Sequence, residues 1–184
     1  MKMPINLHKW IDDNRDALKP PVGNKKIYED QDFMVFAVGG PNARKDYHID
    51  PSEEFFYQIE GDATLKLVVD GEFKDVTIRE GEIFLLPAYV PHSPQRTANT
   101  VGLVIEHKRP EGENDGLRWY CESCGEVLHE AFFPLTDIVG QLKDAIQVFM
   151  NSEELRTCDN CGAVMQFDEA PARPETPNAK GDAS

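Results

Sequence analysis

A chain of 184 residues, 40% hydrophobic and 28% charged, suffices for one sizeable domain, alone or with a small appendage, and has an ordinary globular composition. With 33 acidic against 19 basic residues the net charge is −14, which excludes an electrostatic nucleic-acid or anionic-membrane surface but leaves room for a small anionic ligand held by local arginines. No apolar run approaches the ~20 residues of a membrane span. The opening MKMPINLHKW lacks the apolar core of a signal peptide, so a cytoplasmic protein is expected, its four cysteines reduced unless they bind metal.

Asn6 is placed to cap a short helix over 7–18, with Leu7, Trp10, Ile11 and Leu18 as its apolar stripe. LKPPVGN ends that helix, and from about 26 to 106 the pattern is all β. Short runs rich in Val, Ile, Phe and Tyr predict strands over 26–29, 33–38, 55–59, 63–69, 72–78, 83–86 and 101–106. Asp70-Gly71 reads as a two-residue hairpin turn, and Glu80-Gly81-Glu82 marks another. Strands so spaced, with no helix between them, predict a small antiparallel barrel or jelly roll. A polar break follows at 111–116. Beyond it Ile138, Val139, Leu142, Ala145, Ile146 and Phe149 recur at helical spacing, predicting a helix over 136–150 with Thr136 as N-cap. From 170 onward Pro and Ala dominate, and the tail is expected to be disordered. The chain thus divides into 1–112, 113–168 and a tail over 169–184.

The stretch DYHIDPSEEFFYQIEG carries the first candidate site. In one straight strand His48 and Glu54 would lie about 20 Å apart, too far to share an ion. Pro51 interrupts the segment, and a bend there can return His48 to Glu54. A third candidate, His92, follows a Pro-rich turn in GEIFLLPAYVPHSPQR. Two histidines and one carboxylate from separate β segments match the facial triad that leaves positions open on iron(II); singly, each also reads as a surface loop residue. Arg44 lies four residues before His48 and Arg96 four after His92, so both guanidiniums would sit near such a centre and could hold a carboxylate. Glu106 alternates with Gly102 and Val104 on a strand face that could be the barrel interior, although it could equally pair with Lys108 or Arg109.

Cys121, Cys124, Cys158 and Cys161 form two Cys-x-x-Cys-Gly loops. Matched pairs of this kind point to a closed tetrahedral site for zinc or iron with a structural role. Two disulfides or four free thiols are the alternatives. A zinc-ribbon nucleic-acid reader conflicts with the acidic charge.

His48, Glu54 and Gly61, followed by Gly81, Pro87 and His92, resemble the two motifs of the cupin superfamily. Asp50 stands where many cupins have a fourth ligand, leaving three. More closely, LKPPVGN, VGGPNARKDYH, EEFFYQIEG, EGEIFLLPAYVPHSPQR, LVIEHKRP, WYCESCG and CDNCG resemble the 3-hydroxyanthranilate 3,4-dioxygenase family over nearly all of 7–167. That resemblance implies a mainly β cupin (jelly-roll) barrel with a short N-terminal helix and a small C-terminal helix plus metal-knuckle segment. It implies Fe(II) at His48, Glu54 and His92, and ring opening of 3-hydroxyanthranilate by dioxygen to 2-amino-3-carboxymuconate semialdehyde, which closes to quinolinate, a precursor of NAD. Arg96, with Glu54 and Glu106, would face the substrate. Glu106 and Arg44 would serve catalysis, with Arg44 and Asn24 on the dioxygen side. The four-cysteine site would be rubredoxin-like, as in bacterial members, holding iron or zinc, and the protein would be a homodimer. Another cupin dioxygenase, a metal-dependent isomerase, or a non-enzymatic cupin ligand sensor are the competing readings.

Overall fold

A computed structural model describes residues 3–20, 23–30, 32–135 and 138–167. Helix α1 (Leu7–Asn14) begins where Asn6 predicts, the Asn6 side chain accepting the Lys9 amide at 3.0 Å and satisfying an N–H that has no partner inside the helix. The α-helix is shorter than the expected 7–18 because its end tightens into a 3-10 turn (Arg15–Leu18). Ile11 and Leu18 stay buried, so the apolar stripe is kept.

Among the described residues the strands form two antiparallel sheets. The first has the order β1 (Asn24–Asp30), β2 (Phe33–Gly39), β9 (Val101–His107), β4 (Glu54–Glu60), β7 (Ile83–Leu86). The second runs β11 (Val127–Phe133), β10 (Asp115–Tyr120), β3 (Asp46–Ile49), β8 (His92–Arg96), β5 (Ala63–Val69), β6 (Glu72–Ile78). This is the mainly β architecture of two antiparallel sheets that was expected. Strands β5, β6 and β7 fall on the expected residues, while β1, β2, β4 and β9 extend slightly beyond theirs. Four strands went unpredicted: β3, β8, β10 and β11. Strand β3 is only four residues long and β8 carries Pro94, so neither shows the apolar alternation by which a strand is recognised.

Alternation along β4 sends Glu54, Phe56 and Gln58 inward, and all three are buried. Phe56 joins Leu65, Leu67, Ile78, Leu86 and Val104 in the barrel core. On the opposite face of the first sheet, Ala37 and Leu103 pack under Ile11 and Leu18. A third cluster lies on β10, where Leu117 and Trp119 meet helix α2 (Ile138–Asn151). There Phe149 stacks on Trp119 with ring centroids 4.3 Å apart. Helix α2 matches the expected one within two residues at either end; its expected cap, Thr136, and the tail over 169–184 lie outside the described residues. Strand β10 pairs with β3, so the segment expected to start at 113 begins within the barrel wall. No helix among the described residues is long and apolar enough to cross a membrane.

Candidate metal centres

His48 lies within strand β3 and not in the loop that the sequence suggested. It is paired in register with His92, the first residue of β8. The bend at Pro51 is present: the Asp50 carboxylate accepts the Ser52 amide at 2.7 Å, and the Asp50 carbonyl accepts the Tyr89 amide at 2.7 Å. The bend carries the chain from the second sheet to the first, so Glu54 meets His48 across the barrel and not along one hairpin.

His92 Nε2 lies 3.0 Å from Glu54 Oε1, and His48 Nδ1 lies 3.6 Å from the same oxygen. The three ligand atoms are within 4.8 Å of one another, and all three side chains are buried. Their outward nitrogens are occupied: His48 Nε2 is 2.7 Å from Asp115 Oδ2, and His92 Nδ1 is 3.0 Å from the Val90 carbonyl. With those two nitrogens donating, the inward ones present lone pairs, the arrangement by which partners behind histidine ligands fix them for a metal. Glu54 Oε1 is buried without a hydrogen bond. A buried carboxylate oxygen left so is costly unless something cationic fills the gap. Burial works against the charge on Glu54, yet His92 and His48 overcome it and hold its carboxyl well below the usual range. Burial likewise opposes the charge on His48, but Asp115 and Glu54 push its pKa up to about 10.

A ring of further carboxylates surrounds this triad. Strands β4 and β9 pair Glu54 with Glu106, and β2 places Met34 beside Glu106. Glu106 is buried, with Oε2 2.7 Å from Arg109 Nη1; the pairing with Arg109 that its sequence allowed is therefore real. Burial and the charge of Glu54 raise its pKa. Asp50 points to Arg109 at 2.8 Å, and burial together with Glu54 pushes its pKa up to about 9. Four buried carboxylates thus face the Arg109 guanidinium and two imidazoles. That leaves an excess of negative charge which a dication would offset.

Arg96 shares its face of β8 with His92. It is buried, and its Nη1 donates to Gln58 Oε1 at 2.7 Å. Among the described residues no carboxylate is recorded as its partner, and burial alone lowers its pKa to about 10. It lies over Gly102, where any Cβ would stand 2.7 Å from Gln58 Oε1 and 3.0 Å from Arg96 Nη1. Arg44 is paired with Asp46 through Nη2, and its Nε donates to the same carboxylate at 3.1 Å. Burial pulls its pKa down, but Asp46 and, further off, Glu54 raise it overall. Asn24 opens β1 on the cross-strand row of Val38, Gly102 and Gln58, the row that Arg96 covers. Among the described residues no hydrogen bond joins its side chain to the triad.

Asp115, Arg109, Asp46 and Gln58 were not singled out from the sequence as site residues. Asp115 falls in what reads as a polar break, and its one signal is the apolar alternation of Leu117 and Trp119 behind it.

The four cysteines converge elsewhere. Cys121 and Cys161 sulfurs are 3.6 Å apart, as are those of Cys124 and Cys158, and all four lie within 4.8 Å of one another. A disulfide holds its sulfurs at ~2.05 Å, so no disulfide joins these cysteines in this structure. A tetrahedral ion with bonds of ~2.3 Å to sulfur sets its ligands about 3.8 Å apart, which fits. The two loops are built alike. Gly125 donates to the Cys121 carbonyl and Gly162 to that of Cys158, both at 2.8 Å. Both glycines have positive φ, 79° and 73°, which side chains rarely adopt. The Ser123 amide lowers the Cys121 thiol to about 7.

The family described as 3-hydroxyanthranilic acid dioxygenase matches residues 1–150 of the chain. A protein named 3-hydroxyanthranilate 3,4-dioxygenase from Jannaschia sp. (strain CCS1) is 59% identical over 168 residues, covering 91% of this chain and 93% of that one. Proteins of the same name from Neurospora crassa and Bacillus thuringiensis are 49% and 50% identical, covering 98% and 88% of this chain and 99% and 90% of theirs.

Proposed function

The chain belongs to the 3-hydroxyanthranilic acid dioxygenase family, and from that premise we infer that it opens the ring of 3-hydroxyanthranilate with dioxygen, giving 2-amino-3-carboxymuconate semialdehyde, with iron(II) held by His48, Glu54 and His92. The observation that carries the site is the convergence of those ligand atoms on the orphaned Glu54 Oε1 inside the barrel. Two imidazoles and one carboxylate suit iron(II) and leave positions for other ligands. Iron(II), when bound, supplies a common centre at which the aminophenol edge of the substrate and dioxygen meet and exchange electrons.

The protein's own part is to bind, orient and move protons. Arg96 is a buried guanidinium with a neutral amide for company. A substrate carboxylate would give it the charged partner it lacks, in a two-pronged geometry that fixes the ring in plane. Glu106, opposite Glu54 in register, is raised by burial and by Glu54. It can take the phenol proton as the substrate docks, and a carboxyl so raised works nearer neutral pH than an ordinary one. Arg44, tied to Asp46 and within the field of Glu54, supplies positive charge on the side of β3, where negative charge would grow on oxygen. Asn24 is assigned to the dioxygen side by the family resemblance alone, since its own cross-strand row is the one that Arg96 covers. The four cysteines hold iron or zinc as a closed structural site, and a homodimer is the proposed assembly.

The test is oxygen uptake with 3-hydroxyanthranilate by protein stripped of metal and reloaded with iron(II). One dioxygen consumed per ring opened, with the product's absorbance rising and both lost in Glu54→Ala, is expected. No uptake by fully loaded protein would overturn the assignment.

A further inference from the structure

Arg109 lies just beyond β9, its side chain only 5% exposed among three carboxylates. Its Nε and Nη2 donate to the two oxygens of Asp115, each at 2.7 Å. Nη2 also lies 2.8 Å from Asp50 Oδ2, and Nη1 lies 2.7 Å from Glu106 Oε2. Nη1 in addition donates to the His107 carbonyl at 2.9 Å, which fixes the guanidinium against its own backbone. Asp115 Oδ2, gripped by Nη2, is the oxygen that His48 Nε2 meets at 2.7 Å. A continuous path therefore runs from Glu106 through Arg109 and Asp115 to the His48 ring, and it crosses from the first sheet to the second.

A two-pronged guanidinium–carboxylate pair fixes the plane of the carboxylate and not merely its distance. With that plane fixed, the hydrogen bond to His48 Nε2 fixes the imidazole, and hence the direction of Nδ1. We propose that Arg109 is a positioning residue of the candidate iron centre, which orients the ligand His48 through Asp115 while holding Glu106 toward the substrate. This rests on reading His48, Glu54 and His92 as the metal ligands. The competing role is a plain staple that neutralises charge between the two sheets. The two roles differ in what they move: a staple changes stability, whereas a positioning residue changes metal binding in protein that is still folded.

The experiment titrates Co(II) into protein whose cysteines already hold zinc, comparing wild type, Arg109→Lys, Asp115→Asn and the double variant. Lysine keeps the charge and loses the fork. Each single variant is expected to bind Co(II) about 10- to 100-fold more weakly, with a shifted visible ligand-field spectrum. The double variant is expected to be no weaker than the worse single, because both act along one path. Wild-type affinity and spectrum in folded Arg109→Lys would overturn the proposal, and so would penalties that add. If Arg109→Lys does not fold, Asp115→Asn decides alone: unchanged Co(II) binding there overturns the path. A Glu54→Gln control that still binds Co(II) like wild type would instead sink the ligand assignment itself, and so separates the two failures.

Discussion

Strand β10 begins with Asp115, which braces His48, and leads directly into Cys121, the first residue of the four-cysteine cluster. The two candidate metal centres therefore stand at opposite ends of one strand, yet they are built on opposite plans. The cysteine centre is nearly local: two loops of five residues, each closed by its own backbone hydrogen bonds, which need only be brought together once. The histidine centre is assembled from β3, β4 and β8, and its supports come from β9 and β10. The local plan gives four soft ligands and no open position, suited to holding structure. The distributed plan gives three candidate ligands buried inside the barrel, with a buried arginine and a raised carboxyl beside them, suited to chemistry on a small bound molecule.

If the division is right, damage to one centre should spare the other. The largest effect is expected from Glu54→Gln. Turnover should fall at least ~1000-fold, about 4 kcal/mol of barrier, while metal analysis still finds one ion per four cysteines. Retained turnover would break the comparison at once. Next, Arg96→Met should reduce kcat/KM by ~100-fold or more, about 3 kcal/mol, mainly through KM; iron content measured in the same samples should be unchanged. A pure kcat effect would move Arg96 from substrate binding to some other task. Third, Cys158→Ser should lower Tm by about 5–10 °C, taking ~2–3 kcal/mol lost and ~2–4 °C per kcal/mol for a chain of this size. At 25 °C its kcat should stay within about twofold of wild type per barrel iron. A proportional loss of kcat would mean that β10 transmits damage from one end to the other.

The smallest effect concerns pH in metal-free protein. His48 is raised from 6.5 to about 10 and Asp50 from 3.8 to about 9. Both groups hold protons in the folded state that the unfolded chain would release. Their stabilisation is complete below the unfolded values and is lost as pH rises through the folded ones. Thermal melts of the metal-free protein should thus fall as pH rises from 6.5 to about 10. A bound dication should flatten that slope, because it replaces the protons as the positive charge. A melting temperature that rises over this range would contradict the excess of buried negative charge.

The two cysteine loops, the helix cap at Asn6, the hairpin strands β5 and β6 and the grouping of His48, Glu54 and His92 were all legible in the sequence. Each depends on residues close in the chain, or on a side chain whose chemistry leaves few uses. Strands β3 and β8 were not legible, because their inward residues include His48, His92 and Arg96 and so lack the apolar alternation that marks a strand. The bend at Pro51 was legible, but not its destination: only sheet pairing decides that the chain crosses the barrel between His48 and Glu54. Arg109 shows the limit most clearly. In sequence it is one basic residue in HKRP, and Asp115 is one acid in a polar break. Their meeting depends on β9 ending and β10 beginning close together in different sheets, and no local pattern records that. The amino-acid sequence by itself determined which chemistries were available, because ligand type and charge are properties of single side chains. The tertiary structure alone decided which of them act together, because convergence, burial and the loss of solvent screening arise only when the two sheets close.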